Sequence, residues 1–152
     1  MGETNGFQAT AAIRILVVEA DHAQRRELAA ALAGKGYGVD VACDGKEGFA
    51  SACANPPDLV LSGIEMPGMD GYELCRGIRG DPRLLNTRVV LLTSHADITD
   101  LIRGLEAGAD NYIAKPYDSE TLLDAVHTLL AIETDHLRVE SSDVLPVRLG
   151  TR

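Results

Sequence analysis

Short apolar runs alternate along the chain with segments of helical spacing. Five runs rich in Val, Leu and Ile predict buried β-strands, and they begin at Ile13, Gly38, Asp58, Arg88 and Asn111. Each run is followed by a predicted helix, and the first four helices end at glycine or at Asn-Pro. This alternation predicts an α/β protein with a parallel five-stranded sheet and five helices, joined by right-handed crossovers over both faces of the sheet.

The last predicted helix, DSETLLDAVHTLLAIETD, sets the extent of the domain. Asp118 or Ser119 is its expected N-cap, and its leucines share one face. The apolar period fades from about Thr134. We therefore predict a loose leader over residues 1–12, a folded domain over 13–133, and a linker or the start of a following region over 134–152.

Composition and charge narrow the possible partners. The chain has 152 residues, 45% of them hydrophobic, which suits one domain with a real core. Its net charge of −9 argues against binding nucleic acid or an anionic membrane surface, both of which need basic patches. No signal peptide or membrane span is recognisable, so a cytoplasmic protein is expected. The three cysteines lack metal-ligand spacing and are expected to be reduced thiols.

Polar residues follow the predicted strands where each strand ends. Glu19 and Asp21 follow the first strand, Glu65 the third, Thr93 ends the fourth, and Lys115 ends the fifth. The carboxyl ends of parallel strands meet at one edge of the sheet, so these side chains should converge. Together they could hold a divalent cation and a phosphoryl group. The alternative is that the acids are simply solvated at a strand edge.

Five ordered motifs give this arrangement a family resemblance. ILVVEAD, PDLVLSGIEMPGMDG, VVLLTS, GLEAGADNY and YIAKPYD together resemble the CheY-like receiver domain of bacterial two-component signalling, over residues 13–132. The resemblance implies a flavodoxin-like three-layer sandwich with strand order 2-1-3-4-5. It also implies an acid pair that helps to bind Mg²⁺, and an aspartate at the end of the third strand that accepts phosphate from a histidine kinase.

Four positions of the chain match the residues that the resemblance implies. Glu19 matches the first acid of the pair, and Thr93 matches the hydroxyl that contacts the phosphoryl group. Lys115 matches the phosphoryl-binding lysine, and Tyr112 matches the aromatic residue that accompanies switching.

Two positions depart from the pattern. Ala20 stands where the second acid is expected, and Gly63 stands at the phosphoacceptor position. Glycine has no side chain that can attack phosphorus. Asp21 and Glu65 could retain weak Mg²⁺ binding, so either no cofactor or weakly bound Mg²⁺ is expected.

The leading hypothesis is therefore a pseudo-receiver, a module without enzyme activity that acts by binding proteins. The expected partner is a histidine kinase or an output domain, and a homodimer through the fourth helix, fifth strand and fifth helix is possible. Leu105 is expected to belong to the core. The candidate partner surface comprises Thr99, Ile102, Arg103, Glu106, Asp110 and Tyr112.

Other functions remain open from the sequence. A working phosphoacceptor could use another carboxylate, although Asp58 lies at the far end of its strand and Asp70 beyond a turn. A nucleotide-binding flavodoxin-like domain is disfavoured because EADHAQRR is no phosphate loop. A catalytic dyad of His95 and Asp97 would lack a nucleophile. The segment that runs from DNYIAKPYDSETLL to LPVRLG resembles receivers that begin multidomain sensor kinases.

Overall fold

The computed structural model describes residues 12–94 and 97–139, with side chains described through residue 131. Strands and helices alternate along this part of the chain. The strands are β1 (Arg14–Val18), β2 (Gly38–Ala42), β3 (Leu59–Gly63), β4 (Arg88–Thr93) and β5 (Asn111–Ala114). The helices are α1 (His22–Gly34), α2 (Gly45–Ala54), α3 (Gly71–Arg79), α4 (Ile98–Ala107) and α5 (Ser119–Val139).

The five strands form one parallel sheet in the order β2-β1-β3-β4-β5. This order confirms the predicted flavodoxin-like, CheY-like sandwich. The pairing aligns the strand ends, because Ser62 pairs with Val18, Gly63 with Leu92, and Thr93 with Ala114. Residues that follow β1, β3, β4 and β5 therefore lie at one edge of the sheet.

The core lies in two layers, one on each face of the sheet. Alternate residues of a strand point to opposite faces, so Leu16 and Val18 pack with α2 and α3, while Ile15 and Val17 pack with α1 and α5. The central strands β1, β3 and β4 are buried on both sides, as parallel strands covered by helices should be. This two-sided burial fixes the strand ends that carry the site.

Aspartates start the helices just after the strands. Asp21, Asp44, Asp70 and Asp97 each accept a hydrogen bond from a backbone N–H in the first turn of the following helix. For α5, the carbonyl of Asp118 accepts the first helical hydrogen bond, from the N–H of Leu122, so Asp118 rather than Ser119 occupies the cap position.

Two elements differ from the prediction. Helix α5 continues to Val139, beyond the predicted helix DSETLLDAVHTLLAIETD, which ends at residue 135, because the sequence offers no glycine or proline there to stop it. A short 3₁₀ helix, Pro82–Leu84, precedes β4. The predicted leader lies almost entirely outside the described residues, as does the last part of the predicted linker, residues 140–152.

Two sequence expectations concern membranes and cysteines. Among the described residues, no helix combines the length and the hydropathy needed to cross a membrane. The three cysteines are free thiols that range from exposed Cys43 to buried Cys75. Burial raises the pKa of the Cys75 thiol to about 11, which keeps it protonated and unreactive at neutral pH.

Candidate functional site

The predicted site residues line one open cavity at the carboxyl edge of the sheet. The cavity measures about 390 Å³, and its walls come from the segments that follow β1, β3, β4 and β5. It collects the groups that the sequence analysis placed at the strand ends: Glu19, Asp21, Gly63, Glu65, Thr93 and Lys115.

Glu19 and Lys115 form an ion pair inside this cavity. The distance from Lys115 Nζ to Glu19 Oε1 is 3.2 Å. Glu19 is only 5% exposed, so the solvated-acid interpretation does not hold for this residue. Asp21 and Glu65 are exposed, as a solvated acid would be. The three acids at this edge therefore stand in different environments.

Asp21 is already used as the N-cap of α1. Its Oδ2 accepts a hydrogen bond of 2.9 Å from the backbone N–H of Gln24. Turning this carboxylate toward the cavity, in place of Ala20, would leave the first turn of α1 without its cap.

The residues at the site do not fit a Mg²⁺ ion. Mg²⁺ needs oxygen ligands in near-octahedral geometry, usually including one or two carboxylates. Neither Ala20 nor Gly63 has a ligand atom in its side chain, and Glu19 is held by Lys115. Within 12–94 and 97–139, no three His, Cys, Asp or Glu side chains are grouped so that they could hold a metal.

Backbone contacts fix Thr93 and Lys115 relative to Gly63. The N–H of Lys115 donates to the carbonyl of Thr93 at 2.7 Å, and the Lys115–Pro116 peptide bond is cis. The hydroxyl of buried Ser62 donates to the carbonyl of Gly63 at 2.7 Å. Thr93 itself is 5% exposed. The cavity is thus built on rigid strand ends, which suits a site that must hold its geometry.

Tyr112, the predicted switch aromatic, contacts a residue that the sequence analysis did not single out. Its hydroxyl oxygen lies 3.2 Å from that of Tyr72, at the start of α3. The Tyr72 hydroxyl also donates to the carbonyl of Asp100 in α4, at 3.3 Å, and the Arg103 guanidinium lies 4.2 Å above the Tyr72 ring. Burial, and then the bond with Tyr112, raises the pKa of Tyr72 well above its usual range. The sequence shows that residue 72 is a tyrosine at a core position, but it does not show that its hydroxyl meets Tyr112, 40 residues away.

A second cavity, of about 540 Å³, extends from the site toward α4. Ile64, Glu65 and Thr93 line both cavities, while Tyr72 and Arg103 line only the second. The two cavities therefore share part of their walls, and the second one reaches α4 at Asp100 and Arg103.

The outer face of α4 exposes aliphatic side chains. Ile98, Leu101, Ile102 and Leu105 are 69%, 38%, 47% and 44% exposed, and their spacing places them on one stripe. The prediction that Leu105 belongs to the core is wrong. Gly104 and Ala107 face the sheet instead, because the Tyr112 ring fills the space beside Gly104.

Only part of the predicted partner surface is exposed in the structure. Thr99, Arg103 and Glu106 are exposed on α4, alongside Ile102. Asp110 is instead tied into the fold, since its Oδ2 lies 2.7 Å from an Arg79 nitrogen and accepts the N–H of Val89 at 2.8 Å. It anchors the chain before β5 to α3 and β4, and it offers little free surface.

The remaining candidate, the dyad of His95 and Asp97, falls partly outside the described residues. His95 is among the residues not described. The side chain of Asp97 accepts the N–H of Asp100 at 2.9 Å, as an N-cap does.

The sheet order, the cavity at its carboxyl edge and the aromatic residue in β5 define a receiver-type α/β domain. Comparison with known proteins agrees: the response regulator receiver domain model matches residues 15–127. The chain belongs to this family. It is a receiver domain of the kind found in two-component response regulators.

The relatives include several kinds of response regulator. Response regulator MprA of Mycolicibacterium vanbaalenii is 38% identical over 120 residues, which cover 78% of this chain and 50% of that protein. Response regulator PleD of Caulobacter vibrioides is 40% identical over 116 residues, covering 76% and 26%. The chain thus matches about half of the first relative and a quarter of the second.

Solved structures show the same fold. The chemotaxis protein CheY4 of Vibrio cholerae superposes with a TM-score of 0.75 at 29% identity, covering 78% of this chain and 98% of that one. The receiver domain of a signal transduction histidine kinase from Syntrophus aciditrophicus gives a TM-score of 0.75 at 38% identity, covering 86% and 97%.

Proposed function

We propose that this receiver domain does not accept a phosphoryl group at the end of β3 and that it acts by binding another protein. One observation carries the proposal. Gly63 ends β3 inside the cavity that Thr93 and Lys115 line, so the position that should supply the nucleophile has no side chain. An acyl phosphate cannot form on glycine. On this proposal the domain is a pseudo-receiver and has no enzyme activity.

Asp58 and Asp70 offer no better nucleophile. Asp58 lies at the opposite end of β3, where its carboxylate accepts the N–H of Arg14 at 2.8 Å. Asp70 caps α3 in a capping box with Glu73. Both carboxylates hold the fold together at a distance from Lys115, which supports the pseudo-receiver over the alternative of a substitute acceptor.

Phosphodonor labelling tests this proposal. Incubation with acetyl phosphate and Mg²⁺ should leave the intact mass unchanged, and the same treatment of a receiver with an aspartate at this position serves as the positive control. A stable, Mg²⁺-dependent gain of one phosphoryl group would refute the proposal. Mapping the modified peptide would then identify the carboxylate that replaces the missing aspartate.

The partner is proposed to be a histidine kinase or an output domain that covers α4. The support is the stripe formed by Ile98, Leu101, Ile102 and Leu105, which no other described part of the chain covers. Burying one such side chain contributes about 1.5–3 kcal/mol, so a partner that covers the stripe gains substantial affinity. The net charge of −9 supports a protein partner over nucleic acid or a membrane surface.

A homodimer through α4, β5 and α5 is the simplest form of this interaction to test. Sedimentation velocity over a concentration series should show self-association that Leu105→Lys weakens. Leu85→Lys is the matched control, because Leu85 is 66% exposed but lies beside the 3₁₀ helix, away from α4. If the two variants weaken association equally, α4 is not the interface. If the chain is monomeric, the same pair of variants is compared for binding to the histidine kinase.

The chain is further proposed to be the receiver part of a larger regulator or of a hybrid sensor kinase. The support is its coverage of only half of the MprA relative and its similarity to a receiver domain from a histidine kinase. The output of the whole protein follows from the identity of that remaining part.

A further inference from the structure

The space beside Gly63 is filled by the carboxylate of Glu19, which reaches across from β1. A Cβ atom added at Gly63 would lie 2.9 Å from Glu19 Oε1, closer than real Cβ atoms come to other atoms, and 3.4 Å from its Cδ. Any side chain at position 63 would therefore enter the volume that Glu19 now occupies. Glu19, which follows the neighbouring strand β1, therefore places a carboxylate in the space that a side chain at position 63 would occupy.

Both oxygens of this carboxylate have partners. Oε1 lies 3.2 Å from Lys115 Nζ, and Oε2 accepts the backbone N–H of Asp21 at 3.0 Å. The backbone of Glu19 is fixed as well, because its N–H donates to the carbonyl of Ala42 at 3.1 Å and its carbonyl accepts from Arg25 at 2.8 Å. The side chain is thus held by two contacts, and the backbone of the same residue is held by two more.

We propose that Glu19 is the resident counterion of Lys115 and that this pair occupies the part of the cavity beside Gly63. Lys115 is partly buried, with 20% of its side chain exposed, and a lysine withdrawn from water without a nearby anion carries a desolvation cost. Glu19 supplies that anion without a metal ion and without a phosphoryl group. The cavity then keeps a fixed shape and balanced charge on its own, and Lys115 is not available to bind an incoming anion. This proposal rests on the pseudo-receiver assignment only in taking Gly63 as unable to accept phosphate.

The same geometry argues against Glu19 as a nucleophile. Attack on phosphorus needs an oxygen with an open approach in line with the leaving group. The Glu19 residue is 5% exposed, and each of its oxygens already accepts a hydrogen bond or contacts the lysine. Transfer to Glu19 is therefore an outcome of the test below, and it would contradict the counterion role.

Lysine labelling tests the proposal directly. The chain has three lysines, and Lys35 and Lys46 are exposed, so they serve as internal references for Lys115. In native protein treated briefly with an amine-acylating reagent and analysed by peptide mass spectrometry, Lys115 should label slowest. Glu19→Gln should raise its labelling rate relative to the references roughly tenfold, the factor that corresponds to about 1.4 kcal/mol. Asp124→Asn, which removes an exposed acid of α5 that lines neither cavity, should leave the ratio unchanged.

The outcomes separate this proposal from the pseudo-receiver assignment. Equal labelling of Lys115 in the native chain, Glu19→Gln and Asp124→Asn would overturn the counterion role and leave the assignment standing. A phosphoryl group mapped to Glu19 would overturn both. If Glu19→Gln does not fold, Glu19→Asp keeps the charge but shortens the reach, and the proposal then requires faster Lys115 labelling in that variant.

Discussion

The cavity at the carboxyl edge of the sheet and the outer face of α4 differ in which side chains they bury and which they expose. In the cavity, Glu19 and Lys115 turn inward and satisfy each other. On α4, Ile98 and Leu105 turn outward, while Gly104 and Ala107 face the sheet. Charged groups are thus paired inside, and apolar groups are left at the surface. The cavity needs no ligand to be satisfied, whereas the α4 face gains from a partner that covers it.

This contrast bears on how the domain can carry a signal. A receiver that switches on phosphorylation needs an open acceptor site and an output face that responds to it. In the proposed pseudo-receiver, the chain's own ion pair occupies the space beside Gly63, and the second cavity still reaches from Thr93 to Tyr72 and Arg103. On this proposal, the α4 face keeps its exposed aliphatic stripe while a fixed internal contact takes the place of phosphorylation.

The largest expected effect comes from restoring the two missing carboxylates of the cavity with the double substitution Ala20→Asp and Gly63→Asp. The new aspartate at 63 must displace the Glu19 carboxylate, and the one at 20 adds the metal ligand that the edge lacks. With acetyl phosphate and Mg²⁺, the double variant should label at least about tenfold faster than either single variant, because nucleophile and metal act as one unit.

Melting temperatures supply the control for that experiment. Extra carboxylates at one edge repel one another when no cation is bound, so the double variant should melt below the native chain without Mg²⁺. Saturating Mg²⁺ at about 100 times its Kd should restore about 2.7 kcal/mol. If the double variant neither labels nor responds to Mg²⁺, the cavity differs from a working receiver by more than these two residues.

The sequence predicted the cavity better than the α4 face, for a physical reason. Parallel strands end at one edge, so the motif order alone brings Glu19, Thr93 and Lys115 together. Helical periodicity finds the apolar stripe of α4 but cannot say whether the sheet or the solvent lies against it. That choice depends on the Tyr112 ring beside Gly104, a contact between two elements. The burial of Glu19 likewise depends on Lys115, 96 residues away.

A smaller but still large effect is expected from Gly71→Ala, at the start of α3, where the helix packs against the end of β3. A Cβ there would overlap the backbone carbonyl of Gly63 and lie 2.8 Å from the Cα of Ile64, and backbone atoms cannot step aside. Unfolding in urea should show a loss of about 3 kcal/mol.

Gly104→Ala is the matched substitution under α4. There the added Cβ would meet only side chains, the nearest being a Tyr112 ring carbon at 3.1 Å, and alanine is a better helix former than glycine. Its change in stability should stay within about 1 kcal/mol. Equal losses for both variants would mean that the backbone around Gly63 is no more rigid than the packing under α4, and the contrast between the two regions would fail.

The smallest expected effect concerns the contact that joins the two regions, the pair Tyr72 and Tyr112. Tyr72→Phe keeps the ring under Arg103 but removes the hydroxyl that reaches both Tyr112 and the Asp100 carbonyl. The loss should be about 1 kcal/mol at neutral pH.

The pKa of Tyr72 is raised in the folded state, so the folded protein keeps a proton that the unfolded chain releases above the ordinary value of 10.0. Its contribution is therefore complete below that pH and is lost as the pH rises further. Urea unfolding between pH 8 and 11 should show the native chain losing stability more steeply at the alkaline end than Tyr72→Phe does. Tyr37 and Tyr117, whose pKa values burial also raises, should leave a residual slope in the variant. Parallel curves for the two proteins would mean that burial and the bond with Tyr112 do not hold the proton on the Tyr72 hydroxyl. The cavity at the strand ends and α4 would then be linked only by the residues that line both cavities.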